Sequence, residues 1–160
     1  MPSAITNTSP LVYLHRAASL HWLADLFDSL WVPGAVIDEL REGRRLGYEV
    51  PIPEPLPWLQ IKEPDHIPSP WLALDLGPGE LAAMALAIEN PSRVVLLDDQ
   101  LARRTAQAAG LTVWGTLRVV LEAKDRGLTP AVAPVIDNLC GNGMWISDAV
   151  RRRILNLAGE

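Results

Sequence analysis

Residues 93–99 read Arg93-Val94-Val95-Leu96-Leu97-Asp98-Asp99, and this stretch decides how the rest of the chain is interpreted. Four apolar residues, two of them β-branched, are followed directly by two carboxylates and then by a segment of helical character. A short apolar run bounded in this way is typical of a strand buried on both faces. Asp98 and Asp99 would then lie at the carboxyl end of a central strand, where open α/β sheets bind their ligands. The alternative is that one Asp caps the next helix and the other is solvated.

The composition is that of an ordinary globular protein. The chain has 160 residues, is about half apolar, and carries a net charge of −5. This length predicts a single domain over 1–160, with a helical extension from about residue 130 to 160. The single cysteine excludes an internal disulfide, and the N-terminus has no secretory pattern, so the expected compartment is the cytoplasm. No apolar run is long enough to cross a membrane, and a membrane role is not expected.

The net negative charge argues against a protein that coats nucleic acid through bulk electrostatics. It leaves a nuclease open, because acidic ligands of a divalent metal add to the formal charge and the bound metal reverses the local sign.

Strand and helix patterns alternate along the chain. Strands are expected at about 3–7, 30–32, 58–62, 94–97 and 111–114, and helical periodicity falls between them and after them. The helix that starts at Gly34 is expected to stop at Gly43. Prolines on both sides of 58–62 predict an edge strand. This alternation predicts an α/β fold: three α/β/α layers around a central, mostly parallel sheet of about five strands, with helices at the C-terminus.

Acidic and amide side chains are expected to meet at one edge of this sheet. Asn7 ends the first strand, Asp98 and Asp99 end the fourth, and Glu80 opens the helix that leads into the fourth. Glu39 lies late in its helix, so its approach depends on the tilt of that helix. Each residue taken singly is more often a cap or a solvated side chain. Together they are the oxygen ligands that suit Mg²⁺ or Mn²⁺, and such a site suits phosphodiester hydrolysis.

Several segments, in this order, resemble the PIN domain family. The likeness is strongest to a branch of small prokaryotic PIN-like proteins, relatives of VapC-like toxins, whose first strand ends in Asn-Thr-Ser-Pro-Leu. It covers nearly the whole chain, and its order and spacing are more specific than any one piece. The matching segments are Ile5–Leu11, Val32–Leu40, Leu76–Glu80 and Leu96–Asp99, followed by Gly115–Leu117 and the Ile146–Ser147 region.

The resemblance implies a single-strand-specific endoribonuclease that depends on Mg²⁺ or Mn²⁺ and acts as the toxin of a toxin–antitoxin pair. By position, Glu39, Glu80 and Asp99 would be the catalytic acids. Asn7 and Asp98 would join them as metal ligands, and Ser9 would flank the pocket. The implied partners are single-stranded RNA, an antitoxin protein and a second copy of the chain in a homodimer.

Arg103 and Arg104, one turn beyond Asp99, are candidates for contact with phosphate, although a solvated helix face is an equally good interpretation. Trp58 and Trp71, in the proline-rich region, are candidates for a dimer or antitoxin contact, with packing as the commoner use.

Asn7 departs from the family pattern, because most members have an Asp there. An amide oxygen can bind a metal but carries no charge, so metal binding is expected to be weaker. The alternative function is therefore a catalytically weakened PIN-like module that binds RNA or protein. Receiver domains and haloacid-type phosphatases are disfavoured, since both need acids at the first strand. Nucleotide binding is also disfavoured, because Gly77-Pro78-Gly79 lacks the Lys and the Ser or Thr of a P-loop.

Overall fold

The computed structural model describes residues 1–67 and 75–160. Within these ranges there are five strands, all paired in parallel, in the order β3-β2-β1-β4-β5. The predicted parallel sheet is therefore confirmed. The strands are β1 (Ala4–Thr6), β2 (Leu30–Val32), β3 (Leu59–Ile61), β4 (Val94–Leu96) and β5 (Val113–Trp114).

Helices cover both faces of the sheet and complete the three predicted layers. Within the described ranges they are α1 (Thr8–Arg16), α2 (Trp22–Leu26), α3 (Gly34–Arg45), α4 (Pro78–Glu89), α5 (Gln100–Ala108), α6 (Thr116–Asp125), α7 (Ala133–Gly141) and α8 (Asp148–Leu157). None of them is long and apolar enough to cross a membrane.

The strands divide their side chains between two apolar clusters, because successive residues of a strand point to opposite faces. Ala4 and Leu96 belong to the cluster that is filled from α1, α2, α3, α6 and α7. Ile5 and Val95 belong to the cluster that is filled from α4 and α5. The central strands β1 and β4 are therefore buried on both sides, as the unbroken apolar sequence of β4 predicts.

The strand order reverses between β1 and β4. From β1 the chain proceeds to β2 on one side of the sheet, whereas from β4 it proceeds to β5 on the other side. The connections leave the carboxyl ends of these neighbours in opposite directions, which opens a crevice where doubly wound sheets bind ligands. Asn7, Asp98 and Asp99 follow β1 and β4 at this crevice.

Two details differ from the sequence-based expectation or refine it. The helix α3 does not stop at Gly43 but continues to Arg45, and Gly47, with φ of 87°, supplies the left-handed residue beyond its end. Trp58 is partly buried against the larger apolar cluster, which favours a packing role. Trp71 lies outside the described residues.

Candidate active site

Asn7 is a buried amide at the end of β1. Its side chain is only 3% exposed, and its backbone N–H donates to the carbonyl of Leu96 in β4 at 3.1 Å. Its Oδ1 is the one buried side-chain polar atom in the described ranges that has no hydrogen-bond partner. A buried acceptor without a hydrogen bond is destabilising, so a hydrogen-bond donor or a cation bound to this oxygen would stabilise the protein.

Glu39 is brought to this edge by the packing of α3 on α4, which answers the question of tilt left open by the sequence. Its Oε1 accepts a hydrogen bond from the backbone N–H of Gly79 at 2.8 Å, and its Oε2 accepts one from the hydroxyl of Thr8. A Cβ atom at position 79 would lie 2.5 Å from Oε2. The close approach of this carboxylate to the start of α4 therefore requires glycine.

Glu80 lies one residue further along, in the first turn of α4. Its Oε2 accepts from the backbone N–H of Gly77 at 3.2 Å. Partial burial raises the pKa of Glu80; the Gly77 hydrogen bond opposes this, and the negative charges of Asp99 and Glu39 raise the pKa further. The negative charges of Asp99 and Glu39 therefore each oppose ionisation of Glu80.

Asp99 is the N-cap of α5. Its Oδ1 accepts from the backbone N–H of Ala102 at 2.8 Å, and its side chain is exposed to solvent. The cap interpretation is therefore correct for Asp99, and it is compatible with a role in the site, because the cap fixes the carboxylate at the mouth of the crevice.

Asp98 is bound to the protein through both carboxylate oxygens. Oδ1 accepts from the backbone N–H of Thr116 at 2.7 Å, and Oδ2 accepts from the Thr116 hydroxyl at 2.7 Å. Burial raises the pKa of Asp98, while Thr116 and the charge of Arg103 lower it. Thr116 was not among the predicted site residues, although its position two residues after β5, at the same edge of the sheet, is the signal that could have found it.

The residues predicted to contact nucleic acid are not all near the acidic residues. Ser9 is partly buried in the first turn of α1, and Arg104 is exposed on α5. In the described part of the chain, no hydrogen bond or ion pair links either one to the acids. Arg103 is nearer, since a Cβ at Gly115 would lie 2.5 Å from its Nη1 and 3.3 Å from Oδ1 of Asp98.

The donor set has the chemistry of a divalent-cation site. Over residues 1–67 and 75–160, no three His, Cys, Asp or Glu side chains are grouped to hold a metal by themselves. Both carboxylate oxygens of Glu39 and both of Asp98 accept hydrogen bonds from protein donors. The unpartnered Oδ1 of Asn7 and the mutually repelling Glu80 and Asp99 are hard oxygen donors that fit Mg²⁺ or Mn²⁺.

Comparison with known proteins identifies the family of the chain. A family model described as PIN domain matches residues 3–160. No curated protein and no solved structure matched the chain. PIN domains are generally nucleases, and PIN nucleases generally use divalent metal ions. Since the match extends over nearly the whole sequence, the chain belongs to the PIN-domain family.

Proposed function

We propose that this protein is an endoribonuclease specific for single-stranded RNA and dependent on Mg²⁺ or Mn²⁺. The observation that carries the proposal is the buried, unpartnered Oδ1 of Asn7 at the end of β1, the strand paired with β4, which leads into Asp99. The next residue, Thr8, donates its hydroxyl to Glu39, and Glu39 and Asp99 both oppose the charge of Glu80. Repelling acids next to an orphaned oxygen are stabilised together by a cation, whereas solvated helix caps would need none.

Each residue of the candidate site has a proposed role that follows from its contacts. Asn7, Glu80 and Asp99 offer oxygens to the cation. Glu39 is held by Thr8 and Gly79 and adds negative charge beside them. When bound, the metal would supply an activated water and would neutralise charge developing on the phosphate. Asp98 adds charge to the same group and anchors the start of α6 through Thr116.

Arg103 and Arg104 are proposed to contact phosphate, and Ser9 to flank the substrate. The toxin role, the antitoxin partner and the homodimer are also proposals, supported by the resemblance of Asn7–Leu11 to the first-strand motif of the prokaryotic branch. Mg²⁺ and Mn²⁺ are equally compatible with the oxygen donors.

A second function is favoured by one residue. Asn7 contributes no charge where most family members have a carboxylate, so a PIN-like module that binds RNA or protein without cleaving RNA is the alternative.

The test is cleavage of a labelled single-stranded RNA with added Mn²⁺ or Mg²⁺. We expect wild type to cleave, and Asp99→Asn to lose at least about 100-fold in rate, because a charged ligand is removed. The matched control is Asp125→Asn, an exposed acid at the end of α6, which should cleave as wild type does. Binding of Mn²⁺, measured by electron paramagnetic resonance, should weaken in Asp99→Asn alone.

Asn7→Asp separates the two functions. An inactive wild type with an active Asn7→Asp variant would establish a nuclease scaffold whose chemistry is switched off at one ligand. If both are inactive and neither binds Mn²⁺, the proposed nuclease is wrong.

A further inference from the structure

A basic groove runs between α5, α6 and α8, next to the acidic edge of the sheet. It encloses about 360 Å³. Three arginines, one from each helix, line it together with apolar side chains. Among the lining residues are Arg103, Arg118, Arg153, Leu117, Ile154 and Leu157. We call this set the basic groove.

The positive charge of the basic groove is only partly balanced. Within the described ranges, neither Arg103 nor Arg153 has a carboxylate within 4.0 Å. Arg118 has one partner, Glu122 at 3.5 Å, and its guanidinium lies 5.2 Å from the ring centroid of Trp114. In a chain of net charge −5, three guanidinium groups around one concave surface form a local field of the opposite sign. Such a surface is complementary to a polyanion.

The basic groove is continuous with the candidate active site. The backbone N–H of Arg103 donates to the carbonyl of Asp99 at 2.9 Å, so the two residues are one helical turn apart. Gly115 lies between the groove and Asp98, since a Cβ there would be 2.5 Å from Nη1 of Arg103 and 3.3 Å from Oδ1 of Asp98. A strand lying in the groove would therefore pass close to Asp98 and to the start of α5, where Asp99 lies.

We propose that the basic groove binds the phosphate backbone of single-stranded RNA and directs the strand toward Asp99. The identity of the ligand rests on the proposed function. The three guanidinium groups contact phosphates, because planar Arg donors match phosphate oxygens and are weakly hydrated. Leu117, Ile154 and Leu157 give the unpaired bases an apolar wall. This assigns Arg118 and Arg153, far from Asp99 in sequence, to the binding surface together with Arg103.

The test is binding rather than cleavage. A fluorescein-labelled single-stranded RNA of about 12 nucleotides, within the usual site size of single-strand binders, is titrated with the full chain in EDTA, and anisotropy is recorded at several salt concentrations. We expect Arg153→Gln and Arg118→Gln each to weaken binding by about five- to tenfold at low salt. Each should also reduce the slope of log K against log salt by about 0.7, the value for one phosphate contact on a single strand.

The matched control is Arg152→Gln, which makes the same charge change at the neighbouring position of α8, on a side chain that is exposed and does not line the groove. It should bind RNA nearly as wild type does. Arg153→Lys should recover part of the affinity, because it restores the charge without the planar donors. Thermal melting of each variant checks the fold.

Equal weakening of RNA binding in Arg152→Gln and Arg153→Gln would overturn the groove as a defined site. Unchanged RNA binding in both Arg118→Gln and Arg153→Gln would also overturn it. Failure of the nuclease proposal is distinguishable. If wild type cleaves no RNA but the groove variants lose binding, the groove stands and the proposed chemistry falls. Cleavage by wild type together with unaffected binding in the groove variants gives the reverse result.

Discussion

Two glutamates accept hydrogen bonds from backbone N–H groups at helix starts, but their pKa values are shifted in opposite directions. Glu80 accepts the backbone N–H of Gly77 at the start of α4, and Glu160 accepts those of Val132 and Ala133, at 2.7 and 3.2 Å, at the start of α7. The pKa of Glu80 is raised, whereas the pKa of Glu160 is lowered to about 2.

The difference lies in the neighbours of the two carboxylates. Glu160 has Lys124 Nζ at 2.8 Å, and this cation, together with the backbone donors, stabilises its charged form. Glu80 is partly buried, and the negative charges of Asp99 and Glu39 act on it, so its charged form is destabilised. A carboxylate with a cation and backbone donors stabilises the fold, whereas a carboxylate opposed by neighbouring carboxylates is destabilised in its charged form unless a cation binds.

The largest effect should come from removing the charge of Glu80. We expect Glu80→Gln to lower the rate of RNA cleavage by about 100-fold or more, because a ligand charge is lost. The melting temperature at neutral pH should stay level or rise, since the repulsion from Asp99 and Glu39 is relieved. Cleavage assays and thermal melting check the two halves; a large fall in melting temperature would contradict the view that Glu80 opposes folding.

The same residue predicts a pH dependence. A carboxyl whose pKa is higher in the folded than in the unfolded chain holds its proton more tightly when folded. Its contribution to the free energy of unfolding therefore falls as pH rises from about 4.5, the ordinary value, through the raised pKa. This component should be missing from the melting curves of Glu80→Gln.

Gly79→Ala should have the next largest effect. The new Cβ would lie 2.5 Å from Oε2 and 2.8 Å from Cδ of Glu39, so that carboxylate must move. We expect a loss of about 10- to 100-fold in cleavage, the range typical of lost support around a metal site, with weaker Mn²⁺ binding. The control is Gly141→Ala at the end of α7, where a Cβ meets nothing within 4 Å. Equal activities of the two variants would mean that the position of Glu39 is unimportant.

The smallest effect should come from Glu160→Gln. Cleavage should not change, but the melting temperature at pH 7 should fall modestly, because the ion pair with Lys124 is lost. A carboxyl whose pKa is lowered by folding stabilises the fold above its ordinary pKa. The difference between wild type and variant should therefore shrink as pH falls from about 4.5 toward 2.

Lys124→Met is the partner variant for this test. If the ion pair is the cause, Glu160→Gln should have little further effect in the Lys124→Met background. Full additivity of the two substitutions would refute the pairing.

The sheet could be predicted from the sequence because its signals are local. The unbroken apolar run at β4, the helical periodicity between strands and the prolines around β3 each reflect a few neighbouring residues. The end of α3 was predicted at Gly43 and lies at Arg45, because the residue that adopts a left-handed backbone is Gly47, and glycine alone does not reveal its own φ.

The acidic residues of the candidate site could be named from the sequence, but the hydrogen bonds and tertiary contacts that hold them could not be predicted. Glu39 reaches the edge only because α3 packs against α4, and its hold by Thr8 and Gly79 is a tertiary contact. Thr116 meets Asp98 only because β5 lies beside β4. The adjacent residues Asp98 and Asp99 have different hydrogen-bond partners, and the local sequence does not indicate which of them binds which partner.

The placement of β1 also has a consequence for biosynthesis. This strand is near the start of the chain, yet it lies at the centre of the sheet, and Ala4, Ile5 and Thr6 pair with Val94, Val95 and Leu96. Contacts so distant in sequence form slowly, after the intervening chain has been made. Until β4 has left the ribosome, Asn7 has no Asp99 near it. A nascent chain that stops before β4 therefore contains Asn7 without Asp99, and the candidate site is complete only after β4 has paired with β1.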